Sequence, residues 1–269
     1  MRPPPPFRYN SRMSRYAYTS HAADSGSFRI THAVQRLILL NVVIFAAQLV
    51  SDPFLLGATG VQLRPGSVAA YWLSFQPDLF VHGYLWKALT YQFLHSGLFH
   101  LFMNMLSLFV FGPDVERALG TRQFYRFYVI CGTLGVLATL FPFVLHGQPV
   151  TIMGASGAVL GVLVAFAMID PDRQLFLFPI PVPVNARALV FIMVLLNVVS
   201  AAGGGAVSVA THFGGMGVGY LYMKCLPGVN AWLHARRRAR PQPRGPRPNL
   251  DRVGEEVDNI FKFENRDRR

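Results

Sequence analysis

The sequence predicts an all-α membrane protein, a bundle of six transmembrane helices with an interfacial first loop, and three observations carry that prediction. The chain of 269 residues is 52% hydrophobic and only 14% charged, with a mean hydropathy of +0.34, whereas a soluble enzyme carries nearer a quarter charged residues. The few charges crowd into the two ends and some short loops, leaving apolar stretches of nearly bilayer length. Lys and Arg also alternate between successive connections. Soluble doubly wound folds, disordered chains and disulfide-knotted modules all fit this composition poorly. The net charge of +12 has its simplest cause in the anionic inner face of a membrane, so the expected partner is the lipid bilayer and not nucleic acid.

The first 31 residues form a basic arm expected to be cytoplasmic and disordered, with no apolar run of signal-peptide length. A bilayer core of about 30 Å needs roughly 20 apolar residues of helix. Six stretches meet or approach that length: 33–50, 93–112, 124–145, 152–169, 188–202 and 206–226. Arg36 and Arg187, at the edges of the shorter first and fifth spans, are expected to snorkel. The long connection 51–92 carries Pro53, Pro65, Gly83 and the aromatic residues Tyr84, Trp86 and Tyr91, which suits a structured segment in the interface. The membrane domain is therefore expected over 32–227. Residues 228–269 form a cytoplasmic Arg/Pro-rich tail whose composition builds no core.

Orientation follows from the short connections. The arm has five Arg (Arg2, Arg8, Arg12, Arg15 and Arg29), the second-to-third loop Arg117, Arg122 and Arg126, the fourth-to-fifth loop Arg173, and the tail Arg236, Arg237, Arg238 and Arg240. Residues 147–150 and 203–205 carry neither Lys nor Arg. Both termini are expected in the cytoplasm of a bacterial cell, with the protein multi-pass in its inner membrane.

Inside lipid every polar side chain needs an explanation. The carboxylates Asp52, Asp78, Asp114, Glu116, Asp170 and Asp172 lie at span edges or in loops, which weakens an ion-coupled carrier and removes the paired aspartates of an aspartyl protease. Cys131 and Cys225 fall inside apolar segments and read as small buried hydrophobes. What remains is His95, Ser96, His100 and Asn104 on the second span, Gly154-Ala155-Ser156-Gly157 at the head of the fourth, and Thr211-His212 on the sixth. The even-numbered spans all start on the outer side. Ser156 and His212 then lie roughly 5–10 Å below the surface, with His100 and Asn104 slightly deeper and on one helix face.

Gly157 and Gly161, with Gly215 and Gly219, are small-xxx-small pairs that let the fourth and sixth spans approach closely. Serine beside a histidine base is an activated nucleophile, and no acid stands at that depth, so a dyad is expected. The first turn of the fourth helix, with side-chain donors from His100 and Asn104, would form an oxyanion hole. Taken singly, Ser156 also reads as a packing residue, His212 as a partner of a backbone carbonyl, and Asn104 as interhelical glue. His95, five residues from His100, is assigned to structure. Ala158 breaks a G-x-S-x-G elbow, and no Glu follows His95, so neither zinc nor any other metal or cofactor is expected.

From residue 36 to residue 226 these motifs resemble the rhomboid intramembrane serine proteases in their six-span bacterial form: Gly154-x-Ser156-Gly157, His95-x4-His100-x3-Asn104, and His212 followed by Gly215 and Gly219. The resemblance implies Ser156 as nucleophile and His212 as general base and then acid. It implies His100, Asn104 and the Ser156 backbone N–H as the oxyanion site, with His95 in support. Gly112, Glu116 and Gly120 match structural positions of the family. The substrates so implied are transmembrane segments of other proteins, cleaved where helix-destabilising residues unwind them. Two departures stand out. Trp86-Lys87 replaces the frequent Trp-Arg, and Leu160 stands where an aromatic residue often packs on the base. The alternative is a non-proteolytic relative that binds and escorts transmembrane helices, against which stands the retention of both Ser156 and His212.

Overall fold

The computed structural model describes residues 30–59, 71–147, 150–176, 183–202 and 206–239. The basic arm, most of the tail, and the glycines at 203–205 lie outside the described residues. So do Gln148 and Pro149 of the third-to-fourth connection.

Long helices form where the apolar stretches stand, and the protein is an integral membrane protein. Three are long and apolar enough to cross a bilayer, over His32–Val50, Leu98–Leu119 and Thr121–Leu145, and Ser156–Ile169 and Ala186–Ser200 are shorter apolar helices. Phe99, 76% exposed, and Phe191, 73% exposed, project outward from them. A water-soluble domain avoids such contiguous apolar surface, but lipid solvates it.

In chain order α1 is His32–Thr59, α2 Pro77–Val81 and α3 Lys87–Thr90. The second long helix, α4, is Leu98–Leu119, and α5 is Thr121–Val136. A 3-10 turn at Leu137–Thr139 leads into α6, Leu140–His146. Then follow α7, Ser156–Ile169, a two-stranded antiparallel hairpin of β1 (Gln174–Phe176) and β2 (Pro183–Asn185), α8, Ala186–Ser200, and α9, Ala206–Ala239.

The expected boundaries need several corrections. Although the apolar part of α1 ends at Val50, the helix runs through Pro53 to Thr59, so 51–59 belongs to it and not to the first connection. Hydropathy marks where lipid ends, not where backbone hydrogen bonding ends. The second span starts at Leu98 and not at 93. A 3-10 turn at Tyr91–Phe93 and extended backbone at Leu94 precede Gly97 at its N-cap, so His95 and Ser96 stand ahead of the helix. Arg122 and Arg126 lie within α5 and Arg117 within α4, because Gly120 alone joins the two helices. Its φ of +80° is a left-handed conformation that glycine adopts without strain. The fourth helix starts at Ser156 and not at 152. The chain divides into a compact unit that ends at Cys225 and a second that begins at Leu226, and helix is described in the second as far as Ala239.

Helix α7 is the centre of the membrane unit, packed against α4 and α5. Its residues Gly157, Ala158, Val159 and Gly161 to Phe166 are buried, as expected of a helix that is apolar all round. Leu108, Phe111, Val115, Phe124, Phe127, Tyr128 and Cys131 complete that core. Helix α8 begins where the Asn185 side chain accepts from the Ala188 N–H at 2.8 Å, an N-cap of the usual kind.

The segment before α4 is a structured block pinned to the loop that leads into α7. Phe75 and Ile152 exchange both backbone hydrogen bonds, at 2.9 and 2.8 Å. Lys87 is fully buried there. Its three N–H groups find three acceptors: the Tyr71 carbonyl, the Ser74 carbonyl at 3.5 Å and Gln76 Oε1 at 2.8 Å. Its ammonium also lies over the Tyr71 and Tyr84 rings. Burial lowers its pKa below the ordinary 10.5, opposed by the charge of Asp78. The lysine thus satisfies this position as a point charge with three donors.

Candidate active site

Ser156 is the first residue of α7, and no side chain caps that helix end, where Ala155 occupies the cap position. The leading N–H groups of α7 therefore converge around the serine with the positive end of the helix dipole. The turn that delivers Ser156 is held by the Gly154 N–H donating to the Tyr91 carbonyl at 3.0 Å.

His212 reaches Ser156 from α9. The distance from Ser156 Oγ to His212 Nε2 is 2.8 Å. The glycines explain the approach. A Cβ on Gly215 would lie 2.0 Å from the Gly157 carbonyl oxygen, and one on Gly219 would lie 2.8 Å from Gly161 Cα. No side chain fits between these backbones. Gly157 and Gly161 thus face Gly215 and Gly219 across the two helices. Gly135 and Gly214, which the sequence reading did not single out, repeat the device between α5 and α9: a Cβ on Gly214 would meet the Gly135 oxygen at 2.1 Å.

The ring of His100 lies against Gly154, where a Cβ would fall 2.5 Å from its Cε1 and 2.8 Å from its Nε2. Its Nδ1 is 3.0 Å from Ser96 Oγ. Asn104 is buried one turn below, and its Nδ2 donates to the His100 carbonyl at 2.9 Å. An amide nitrogen carries two hydrogens, so this bond uses one of them. His95 is buried with its ring edge-on to that of His100 at 5.2 Å. Its backbone is clamped by Gln48 of α1, which accepts from the His95 N–H at 3.1 Å and donates to its carbonyl at 3.3 Å. His95 thus reaches His100 from the preceding loop rather than from another face of the same helix.

The structure adds a residue that the sequence reading missed. Asn197 of α8 places its Oδ1 2.6 Å from His212 Nδ1. It sits in an apolar run with no motif around it, and its single sequence signal is an amide among aliphatic residues. Leu160, where an aromatic ring was noted as missing, packs against the main core. Among the described residues no group of three or more His, Cys, Asp or Glu is placed to hold a metal ion.

At the far end of α4, Gly112 and Glu116 hold α1. A Cβ on Gly112 would lie 2.6 Å from Val34 Cγ2. The Glu116 carboxylate accepts from the backbone N–H groups of Ala33, at 3.0 and 3.1 Å, and Val34, at 3.1 Å, and from the Thr121 hydroxyl at 2.8 Å. These positions act on the framework and not on the Ser156 cluster.

Comparison with known proteins places the chain among relatives of one family. The chain is 30% identical over 171 residues to "Rhomboid protease GluP" of Bacillus subtilis, covering 62% of this chain and 32% of the relative. It is 35% identical over 133 residues to "Rhomboid protein 1, mitochondrial" of Saccharomyces cerevisiae, covering 48% and 38%. It is also 38% identical over 84 residues to "Inactive RHOMBOID-like protein 8" of Arabidopsis thaliana, covering 29% and 23%. The chain thus spans well under half of the length of each of these relatives. The Rhomboid domain family matches residues 82–228, more than half of the 269 residues and every part of the Ser156–His212 cluster. The chain therefore belongs to the rhomboid family.

Proposed function

We propose that this rhomboid protein is an intramembrane serine endopeptidase that hydrolyses peptide bonds in or near transmembrane segments of other membrane proteins. The observation that carries the reading is the 2.8 Å contact of Ser156 Oγ with His212 Nε2 at an uncapped helix N-terminus. The Ser156 hydroxyl donates to Nε2, attack on a substrate carbonyl transfers that proton to the imidazole, and the imidazolium returns it to the leaving amine. Water then hydrolyses the acyl-enzyme by the same relay. The developing oxyanion is met by N–H groups of the α7 first turn, by Asn104, and by His100. When Ser96 donates to Nδ1 of His100, the His100 proton sits on Nε2, the edge facing Gly154.

The length of α7 supports a reaction centre sunk below the membrane surface. Its 14 residues span about 21 Å at 1.5 Å per residue, shorter than a hydrocarbon core of about 30 Å. In this reading six helical spans lie within the membrane, α7 falling short of its outer face, and the Arg-rich ends face the cytoplasm of a bacterial cell. Water and substrate reach Ser156 from the outer side.

The test compares cleavage of a single-span reporter substrate in liposomes by the parent, Ser156→Ala and His212→Ala. Both variants are expected to retain their thermal unfolding transitions and to lose about 10⁴-fold or more of the activity. A relative named as inactive keeps the escort function in view as the second reading. Equal cleavage by all three proteins, or none by the parent across diverse substrates, would overturn the protease reading and favour the escort.

A further inference from the structure

We infer that Asn197 is a positioning residue for His212, completing a Ser156–His212–Asn197 relay in which a neutral amide stands where an acid commonly does. The inference rests on the proposed protease reading and deepens it. Three hydrogen bonds in series carry it. Asn197 Nδ2 donates to the Met193 carbonyl at 2.7 Å. A carbonyl only accepts, so that bond fixes which end of the amide is nitrogen and turns Oδ1 toward the imidazole. Oδ1 also only accepts, and it lies 2.6 Å from His212 Nδ1. The ring proton therefore resides on Nδ1. The lone pair is then on Nε2, at 2.8 Å from the Ser156 hydroxyl, which is the tautomer a general base needs.

Burial strengthens the argument. Asn197 is only 9% exposed and stands among the aliphatic residues of α8, and a polar side chain there is costly unless its bonds are made. Both polar atoms of its amide are used, one to anchor it and one to orient the base. A carboxylate in the same place would supply more charge to the imidazolium but would be harder to keep in an apolar setting. The amide retains the acceptor without the charge.

The test measures steady-state cleavage of the single-span reporter, and the rate of Ser156 labelling by a fluorophosphonate probe, for the parent, Asn197→Leu, Asn197→Asp, Ser156→Ala and His212→Ala. Leucine has the same branching and suits a membrane helix, so the Leu variant removes the acceptor without opening a cavity. The expectation is a fall in kcat and in labelling rate of roughly 10- to 100-fold for Asn197→Leu at nearly unchanged KM. Asn197→Asp, which keeps the acceptor, is expected to restore most of both. Asn197→Leu with parental kcat and labelling rate, while Ser156→Ala and His212→Ala are inactive, overturns the role of Asn197 and leaves the protease reading standing. Parental cleavage by Ser156→Ala or His212→Ala overturns both.

Discussion

At Gly154 two constraints meet on one Cα. The backbone holds φ at +126°, a conformation that strains any residue with a Cβ by about 1–3 kcal/mol, and the Cβ itself would occupy the space of the His100 ring. Glycine thus both shapes the turn that delivers Ser156 and lets the histidine lie against it. Gly154→Ala is expected to lower the unfolding midpoint in detergent. Below that midpoint it should reduce cleavage by about 10²-fold, the usual effect of displacing a reacting or stabilising group by 1 Å. Loss of stability with a parental cleavage rate would show that His100 has no part in the reaction. Asn197 marks the opposite limit of what single residues disclose. Gly154 stands in a motif, whereas Asn197 gains its meaning only from a contact between two helices, made with a residue fifteen positions away.

Among elements, the seam between α7 and α9 decides whether Ser156 and His212 meet. The rule of small residues four apart identified it from sequence, because close helix approach in lipid has few other solutions. The helix starts were less legible. Hydropathy does not distinguish an apolar strand-like residue such as Ile152, paired with Phe75, from the first turn of a helix. The true starts at Leu98 and Ser156 depend on hydrogen bonds to distant backbone. On α9, two glycines two residues apart make the seam testable. Gly215→Ala would push a methyl into the Gly157 carbonyl, while a Cβ on Gly217 meets nothing within 4 Å. Gly215→Ala is expected to separate the helices and abolish labelling of Ser156 by the fluorophosphonate probe. Gly217→Ala should keep parental labelling and be as stable as the parent or up to about 1 kcal/mol more so. Equal labelling of the two variants would mean that the seam is not what holds His212 in reach.

For the molecule as a whole, α4 separates two kinds of polar cluster. His100 stands near its start and Glu116 near its end, sixteen residues or about 24 Å apart along the helix. The first cluster surrounds Ser156. The second is a staple, in which one carboxylate gathers the first free N–H groups of α1 and the hydroxyl of Thr121 beside the Gly120 hinge. The start of α1 is thereby tied at one point to the junction of α4 and α5, more than eighty residues away in sequence. A carboxylate suits this task because it only accepts, and every group facing it donates. Glu116→Gln replaces one oxygen with an NH2 that confronts donors. A donor left buried without an acceptor costs about 1–3 kcal/mol, and the first turn of α1 loses its anchor. The variant is therefore expected to unfold several degrees lower in detergent by roughly that free energy. At temperatures where it stays folded, kcat and KM for the reporter should remain parental, since the staple touches none of the groups around Ser156. A fall in kcat without a fall in the unfolding midpoint would contradict this division, and would mean that the two ends of α4 are coupled through the helix rather than separated by it.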